Sequence, residues 1–478
     1  MIPAQPDAWP RHSLRIYRVA LVAAAIFQIL HLFLLPTVIS PDGLEYISLS
    51  RLFGSSQAVE HWSFFRMPLY PLLLRATFAS FGENATAAVV PGAILGFAGI
   101  WVLASELRRS ASPIIGALVI VLLSLYPVLV AYQHTVLTEP GTFCVLAVVV
   151  ALLLRMIRQG VSVATSSALA AALAIGYLYR ATLLAVVPAA AVFVGTMAWR
   201  DERLAWRGVA CALIVVCLPL IAWRAWNADG RQQQVSRAFG VDLLLNLAQH
   251  GILRDDDPLL APVRLSYQAA SSGRGMLSLR PVPDDVAEVL ASHAESGSAI
   301  FVRAIRSNPG AALMAAVRTG AAFAGIRTAT GENHLFTSNV LSLSVPDSKC
   351  VCPSDRRAAF DRAFAQPGRR SPMHYLLKAL YPLYLPLVVV GWLFTLAALV
   401  VGFRRHDARL LAVSVVPVTF AAVHVALAFG IDRYAAPTFP LALANLCAVG
   451  HWIARPTSAP GRAMDARQIA TADRPLAS

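Results

Sequence analysis

Hydrophobic residues occur along this chain in long blocks separated by polar segments. They do not alternate residue by residue with polar ones, as they would in a β-strand with one face in water. Apolar runs of about 20 residues, the length that crosses a bilayer as an α-helix, recur through most of the sequence. The pattern predicts an all-α polytopic membrane protein with about ten spans. These spans are 16–38, 86–106, 111–131, 139–157, 161–179, 181–198, 207–226, 376–402, 409–429 and 434–454.

The composition supports a membrane protein. Of the 478 residues, 57% are hydrophobic and only 14% are charged, whereas soluble domains carry about 25% charged residues. The net charge of +14 comes almost wholly from arginine. Because much of it lies in short loops beside apolar runs, it favours membrane orientation over nucleic-acid binding. The first apolar run has no small-residue cleavage site, so we expect it to remain as an anchor.

The arginine-rich loops orient the spans. They occur at 108–109, 155–158, 200–207 and 404–409, and all fall on one side if there are ten spans. The positive-inside rule then places both termini in the cytoplasm. The near-absence of lysine suggests a GC-rich bacterial genome. We therefore expect a multi-pass protein of a bacterial cytoplasmic membrane, with its large loops outside.

This register divides the chain into four parts. The apolar segment 309–326 could be an eleventh span, but its insertion would put the basic FRRHDAR segment outside, so we expect a helix on the outer face. The first part, 1–226, holds seven spans and has juxtamembrane helices in a first outer loop at 39–85. The second part, 227–374, is a large periplasmic loop with an amphipathic helix at 300–326. The third part, 375–455, holds three spans, and the last, 456–478, is a disordered cytoplasmic tail.

Charged groups recur in the predicted outer segments. Arg180 interrupts an otherwise uncharged stretch from Val161 to Met197. Arginine grips phosphate oxygens through its fork of donors, and a carboxylate can act as a general base. Such a face suits a lipid phosphate and a nucleophile that must lose a proton. The candidate residues are Asp42, Glu45, Tyr46, His61, Arg66, His134, Glu139, Arg180 and Arg433.

Each candidate also has a structural explanation. Asp42 could cap a helix that starts at Gly43 or Leu44, and Glu45 could complete the capping box. Arg66 and Arg433 could reach lipid headgroups, and histidines are more often solvated or satisfied than catalytic. In the large loop, Cys350 and Cys352 form a C-x-C pair, which is weak evidence for a metal and would make a strained disulfide. Their oxidation state stays open.

Five short motifs follow one another along the predicted outer segments. An Asp follows the first span (PDGLEYISLSR), and a basic residue precedes a Pro-containing juxtamembrane helix (RMPLYPLLL). An acidic residue then opens the fourth span (LTEP), and an Arg lies at the next outer corner (YLYRATLL). An R-Y-x-x-P element stands near the end (DRYAAPTFP). The order of these features resembles the membrane glycosyltransferases of the C superfamily, which include protein O-mannosyltransferases and the bacterial aminoarabinose and lipopolysaccharide-modifying transferases.

The resemblance implies transfer of a sugar from a polyprenyl-phosphate donor, such as an undecaprenyl one, to a glycan, lipid or protein at the outer membrane face, by an inverting mechanism. It implies that Asp42 is the base and that Glu139 orients the acceptor or replaces Asp42. Arg66, Arg180 and Arg433 hold the donor phosphate. Further substrate contacts are Glu45, Tyr46, His61 and His134. Many members have two adjacent acids, whereas here they are separated, so the choice of base stays open.

No metal site and no cofactor are expected, since the carboxylates do not cluster as Mg²⁺ or Mn²⁺ would require. Two other classes of function compete. A lipid or glycan transporter would carry charges along a path through the membrane. An assembly scaffold would depend on the 230–300 region and tolerate changes at Asp42 or Arg180. The charges at the outer ends of the spans favour surface chemistry.

Overall fold

The protein is a bundle of α-helices in a computed structural model. The structure describes residues 10–53, 66–199, 205–226, 231–270, 282–325, 371–426 and 432–454. Within these ranges the backbone is helical or irregular, and the only β-contact is one isolated parallel bridge between Val38 and Thr135. The fold class predicted from the apolar blocks, an all-α polytopic membrane protein, is confirmed.

The described residues of the N-terminal part form ten α-helices. A 3-10 turn, Ala181–Val186, precedes α9. The helices are α1 (Arg11–Leu34), α2 (Pro41–Leu52), α3 (Leu69–Phe81), α4 (Ala85–Ser110), α5 (Pro113–Ser124), α6 (Pro127–Gln133), α7 (Glu139–Gln159), α8 (Val163–Tyr179), α9 (Val187–Trp199) and α10 (Ala205–Trp226).

Every predicted span contains a helix, although the helices differ in length. Five of the described helices are long and apolar enough to cross a membrane: α1, α4, α7 and the two at Pro372–Arg405 and Ala408–Ala426. The predicted span 111–131 is broken into α5 and α6, which meet at 62° and could together form a sixth. Pro127 at the start of α6 explains the break, because proline cannot continue the preceding helix. The count of ten spans stays a prediction.

Close approach of small residues joins the two most buried long helices, α4 and α7. A Cβ on Gly99 would lie 2.8 Å from the Phe143 ring and 3.0 Å from the Cα of Cys144. Without a side chain at Gly99, the helices approach closely enough for dispersion contacts to hold them, which is how helices associate in lipid. By contrast, α1 exposes apolar side chains along one face, at Ile16, Val19, Val22, Ile26, Ile29 and Phe33.

The large loop that was predicted to lie outside the membrane has a small hydrophobic core of its own. In the described residues of this loop the helices are α11 (Arg231–Gln249), α12 (Arg264–Ala269), α13 (Asp284–Ser292), α14 (Gly297–Ser307) and α15 (Pro309–Phe323). The predicted amphipathic helix at 300–326 is thus two helices, separated at Asn308, which caps α15. Buried residues that fill this core include Leu243, Leu244, Leu247, Ile252, Leu260, Tyr267, Val286, Leu290 and Phe301.

Three helices complete the bundle: α16 (Pro372–Arg405), α17 (Ala408–Ala426) and α18 (Phe439–Ala454), the last preceded by the 3-10 turn Asp432–Thr438. At the end of the bundle predicted to be cytoplasmic, the buried Glu106 of α4 accepts hydrogen bonds from Arg158 of α7 at 3.2 Å and from Arg109 at 3.4 Å. This group ties α4 to α7 far from the predicted outer face.

Candidate functional site

The first part of the site is α2, the helix that follows the first span. Ser40 caps it, because the Ser40 side chain accepts a hydrogen bond from the Gly43 amide at 3.0 Å. The alternative explanation of Asp42 and Glu45 as a cap of this helix does not hold, since α2 begins at Pro41. Asp42 lies in the first turn, where the helix dipole stabilises a carboxylate.

Arg66 bridges the two acids of α2. Its Nη2 donates to Asp42 Oδ1 at 2.6 Å and its Nε donates to Glu45 Oε2 at 2.8 Å. The guanidinium also lies 4.9 Å from the centre of the Tyr46 ring. Burial raises the pKa of Tyr46 despite the opposing charge of Arg66, so the phenol stays neutral. Four of the predicted residues thus form one cluster.

A second cluster lies where α7 begins and α8 ends. Arg180, the residue after α8, donates from its Nη1 to Glu139 Oε1 and to Thr138 Oγ1, each at 3.0 Å. The side chains of Glu139 and Arg180 are only 3% and 10% exposed. The Arg180 guanidinium also lies 4.7 Å from the centre of the Tyr434 ring. This is a buried ion pair with an aromatic face on the cation.

A row of three tyrosines joins the two clusters. The rings of Tyr46 and Tyr70 meet edge to face at 4.9 Å, and those of Tyr70 and Tyr179 at 5.6 Å. A Cβ on Gly141, in the first turn of α7, would clash with the Tyr179 ring. The glycine therefore lets the row pack directly against α7. Arg180 and Glu139 also act electrostatically on Tyr46, so the two clusters lie at one face.

Backbone contacts fix the positions of the two acids. The Val38 amide donates to the His134 carbonyl at 2.8 Å, and the Val136 amide donates to the Val38 carbonyl at 3.1 Å. A Cβ on Gly43 would lie only 2.7 Å from the Val136 carbonyl oxygen. The start of α2 thus lies directly on the segment that leads into α7.

The structure places the remaining candidates differently. His134 is buried, and its Nε2 lies 2.8 Å from Nδ1 of His31 in α1, so its contact is with the bundle interior. His61, like Cys350 and Cys352, lies outside the described residues. Arg433 belongs to the turn that carries Tyr434, but its side chain is outside the described part.

One residue near the site, Asp242 of α11, has no counterpart among the sequence predictions. Burial raises the pKa of its carboxyl to about 6, with Arg66 opposing the shift and Asp42 adding to it. The charges of Arg66 and Asp42 thus act on this carboxyl, although about 200 residues separate it from Asp42 in the chain. No motif or spacing in the sequence marks this position.

The site combines ion-paired carboxylates with arginines that a phosphate could also engage. Because both guanidiniums already contact acids, an incoming phosphate would compete with those acids for the same donors. Within the described ranges, no group of three or more His, Cys, Asp or Glu side chains is arranged to hold a metal ion. The expectation of no essential metal stays a prediction.

The helices and the charged clusters define a polytopic membrane protein with an ion-paired site at one face. Residues 66–223, about a third of the chain, match the family described as dolichyl-phosphate-mannose-protein mannosyltransferase. The resemblance to membrane glycosyltransferases is thereby confirmed over that segment, which contains Arg66, Glu139 and Arg180. Asp42 and Asp242 lie outside it.

Two solved structures are similar to this chain over most of its length. The crystal structure of ArnT from Cupriavidus metallidurans in the apo state has 17% identity and a TM-score of 0.38, covering 89% of this chain and 77% of that one. The ArnT structure bound to undecaprenyl phosphate has 16% identity and the same TM-score, covering 88% and 77%. No curated protein sequence matches the chain.

Proposed function

We propose that this protein transfers a sugar from a polyprenyl-phosphate-linked donor to a hydroxyl-bearing acceptor at the outer face of a bacterial cytoplasmic membrane. The observation that carries the proposal is the pair of clusters at one face, in which Arg66 is held by two carboxylates and Arg180 by one. The match of residues 66–223 to a mannosyltransferase family supports the reaction class.

Arg66 and Arg180 bind the donor phosphate in this proposal. Each guanidinium exchanges its carboxylate for a phosphate oxygen and then stabilises the charge that develops on the leaving phosphate. Arg433 joins them as predicted from the sequence. Tyr46 and Glu45 line the donor side, and His61 stays a predicted contact.

The exchange at Arg66 also prepares the base. While Asp42 is ion-paired at 2.6 Å to Arg66, its charged form is stabilised and it is a weak proton acceptor. When the donor phosphate takes that guanidinium, Asp42 loses the cation and becomes more basic. Donor binding therefore precedes activation of the acceptor.

The chemical step is a single inverting displacement. The acceptor oxygen forms a bond to the anomeric carbon while Asp42 takes its proton, and the bond from that carbon to the phosphate oxygen breaks with its electron pair on the phosphate. Glu139 is more buried than Asp42, with side-chain exposures of 3% and 23%. This supports Asp42 as the base and Glu139 as the partner that positions Arg180.

The test uses the full chain in nanodiscs, with a panel of undecaprenyl-phosphate sugars and envelope glycans as acceptor. We expect Asp42→Asn to lower release of undecaprenyl phosphate about 100-fold or more, as for loss of a general base, with donor binding retained. Asp256→Asn is the control, because Asp256 is exposed in the outer loop. EDTA should leave turnover unchanged.

Two results would count against the proposal. Equal turnover in the wild type and in Asp42→Asn would remove Asp42 from the chemistry. A wild type that binds the lipid but releases no undecaprenyl phosphate from any donor would favour a transporter instead.

A further inference from the structure

Helix α15 of the large loop belongs to two hydrophobic cores at once. Ala315, near its middle, is buried in the small core of the loop, whereas Phe323, its last residue, is buried in the core of the bundle. Arg318 joins the helix to the rest of the loop, because its Nη1 donates to the His250 carbonyl at 2.7 Å. The loop therefore packs against the membrane helices through the end of α15.

The end of α15 lies directly on two of the spans. Gly325, just after the helix, has a φ of +80°, which favours glycine, and a Cβ there would lie 2.8 Å from Cγ1 of Val388 in α16. The ring centre of Phe323 lies 5.6 Å from that of His424 in α17. An aromatic side chain of the loop thus packs against the imidazole of a span.

His424 is a buried imidazole in the last turn of α17. An ionisable side chain within a span is costly, and such residues mark functional sites. Its Nδ1 lies 2.7 Å from the Phe420 carbonyl oxygen. Since a carbonyl oxygen can only accept, Nδ1 is the donor of this hydrogen bond. The centre of the Phe420 ring also lies 4.4 Å from that of the imidazole, so the His424 ring is held in one orientation.

The contacts of His424 continue to the second cluster of the site. Its ring centre lies 5.6 Å from that of Tyr434. The Arg180 guanidinium in turn lies 4.7 Å from the centre of the Tyr434 ring. Phe323, His424 and Tyr434 therefore form a second aromatic row, which runs from the end of α15 to Arg180.

The proposed exchange at Arg180 gives this second aromatic row a role. In that exchange the guanidinium replaces Glu139, its partner at 3.0 Å, with a phosphate oxygen. The phosphate does not compete with the Tyr434 ring, because a ring face attracts a cation through its quadrupole and not as a carboxylate does. The contact with Tyr434 is thus kept while the ion pair with Glu139 is broken.

We infer that Phe323 and His424 are positioning residues for the donor phosphate, an inference that rests on the proposed function. They hold the Tyr434 ring against Arg180, so that the guanidinium keeps its position when the phosphate replaces Glu139. The large loop thereby acts on donor binding through the end of α15. No motif in the sequence marks either residue.

The experiment measures the affinity of the full chain in nanodiscs for undecaprenyl phosphate, together with the donor KM and the acceptor KM. His424→Leu removes the ring but keeps a side chain of similar size. We expect it to weaken undecaprenyl-phosphate binding and to raise the donor KM about fivefold or more, as for a lost cation–π contact. The acceptor KM should not change. Phe323→Leu, on the loop side of the row, should act in the same direction.

Two further variants are the controls. His424→Phe restores a ring and should bind undecaprenyl phosphate within about twofold of the wild type. Phe403→Leu changes an exposed phenylalanine of α16 and should behave like the wild type. Recovery with phenylalanine but not with leucine at position 424 separates the aromatic contacts from a general loss of packing.

Each alternative outcome is distinct. Wild-type affinity for undecaprenyl phosphate in both His424→Leu and Phe323→Leu would overturn this inference alone. Equal weakening by His424→Phe and His424→Leu, or an acceptor KM that rises with the donor KM, would also overturn it, because either result indicates a general structural role. A wild type that releases no undecaprenyl phosphate from any donor would overturn the proposed function instead, whatever the variants show.

Discussion

The ion pair between Arg180 and Glu139 allows the buried electrostatics of the site to be tested directly. Arg180→Ala removes the cation from a carboxylate that is 3% exposed and lies 3.0 Å away. Removal of one partner of a buried pair costs about 3–5 kcal/mol, because the remaining charge is uncompensated. The hydrogen bond to Thr138 and the contact with the Tyr434 ring are lost as well. We expect the free energy of unfolding to fall by about this amount.

The assay is equilibrium unfolding in mixed detergent and SDS micelles, followed by circular dichroism. The double variant Arg180→Ala with Glu139→Gln should recover most of the lost stability, because a neutral amide needs no cation. Sugar transfer should stay lost in the double variant, since the donor phosphate has still lost Arg180. Arg155→Ala is the matched control: this exposed arginine contacts Gln159, so its loss should change stability by about 0.5 kcal/mol or less.

The reasoning would be refuted by a small effect without compensation. If Arg180→Ala lowers the free energy of unfolding by less than about 1 kcal/mol, and the double variant is no more stable than the single one, then Glu139 does not depend on Arg180 for its charge. A double variant that recovers both stability and sugar transfer would show instead that Arg180 acts only in folding.

Two further predictions test the frame around the site. Gly43→Ala places a Cβ 2.7 Å from the Val136 carbonyl oxygen, so we expect α2 to shift and the rate of sugar transfer to fall about tenfold or more. The control is Gly310→Ala, which has open space around its Cβ and should keep wild-type activity. Equal activity in the two variants would contradict this prediction. Glu106→Gln weakens the buried contact with Arg158, so it should lower the thermal stability of the protein measurably without changing the donor KM. A changed donor KM would refute a purely structural role of Glu106.

The sequence predicts the membrane class and the face of the bundle on which the site lies. The length of the apolar runs predicts the helices. The uneven distribution of arginine between the loops on the two sides predicts a common outer side for Asp42, Arg66, Glu139 and Arg180. These inferences depend on local composition and chain order. They do not require knowledge of which side chains touch.

The contacts themselves could not be predicted, because they depend on tertiary packing. The sequence could not show that Ser40, and not Asp42, caps α2, since both residue types are common caps. It could not show that His134 packs on His31 instead of facing the site. The sequence also does not mark Asp242, because it is an ordinary acidic residue in the polar loop, where the hydrophobic pattern predicts no span. Its electrostatic interaction with Asp42 depends on the fold.

The backbone bridge between Val38 and Thr135 is a common fixed point for the positions of Asp42 and Glu139. Asp42 lies four residues after Val38, and Glu139 lies four residues after Thr135. Both carboxylates are therefore set by equal lengths of chain from one backbone hydrogen-bonded point. A single insertion or deletion in either of these two connectors would move one carboxylate relative to the other, even if every side chain that contacts the site were kept. In this region the number of residues constrains the site as well as their identity.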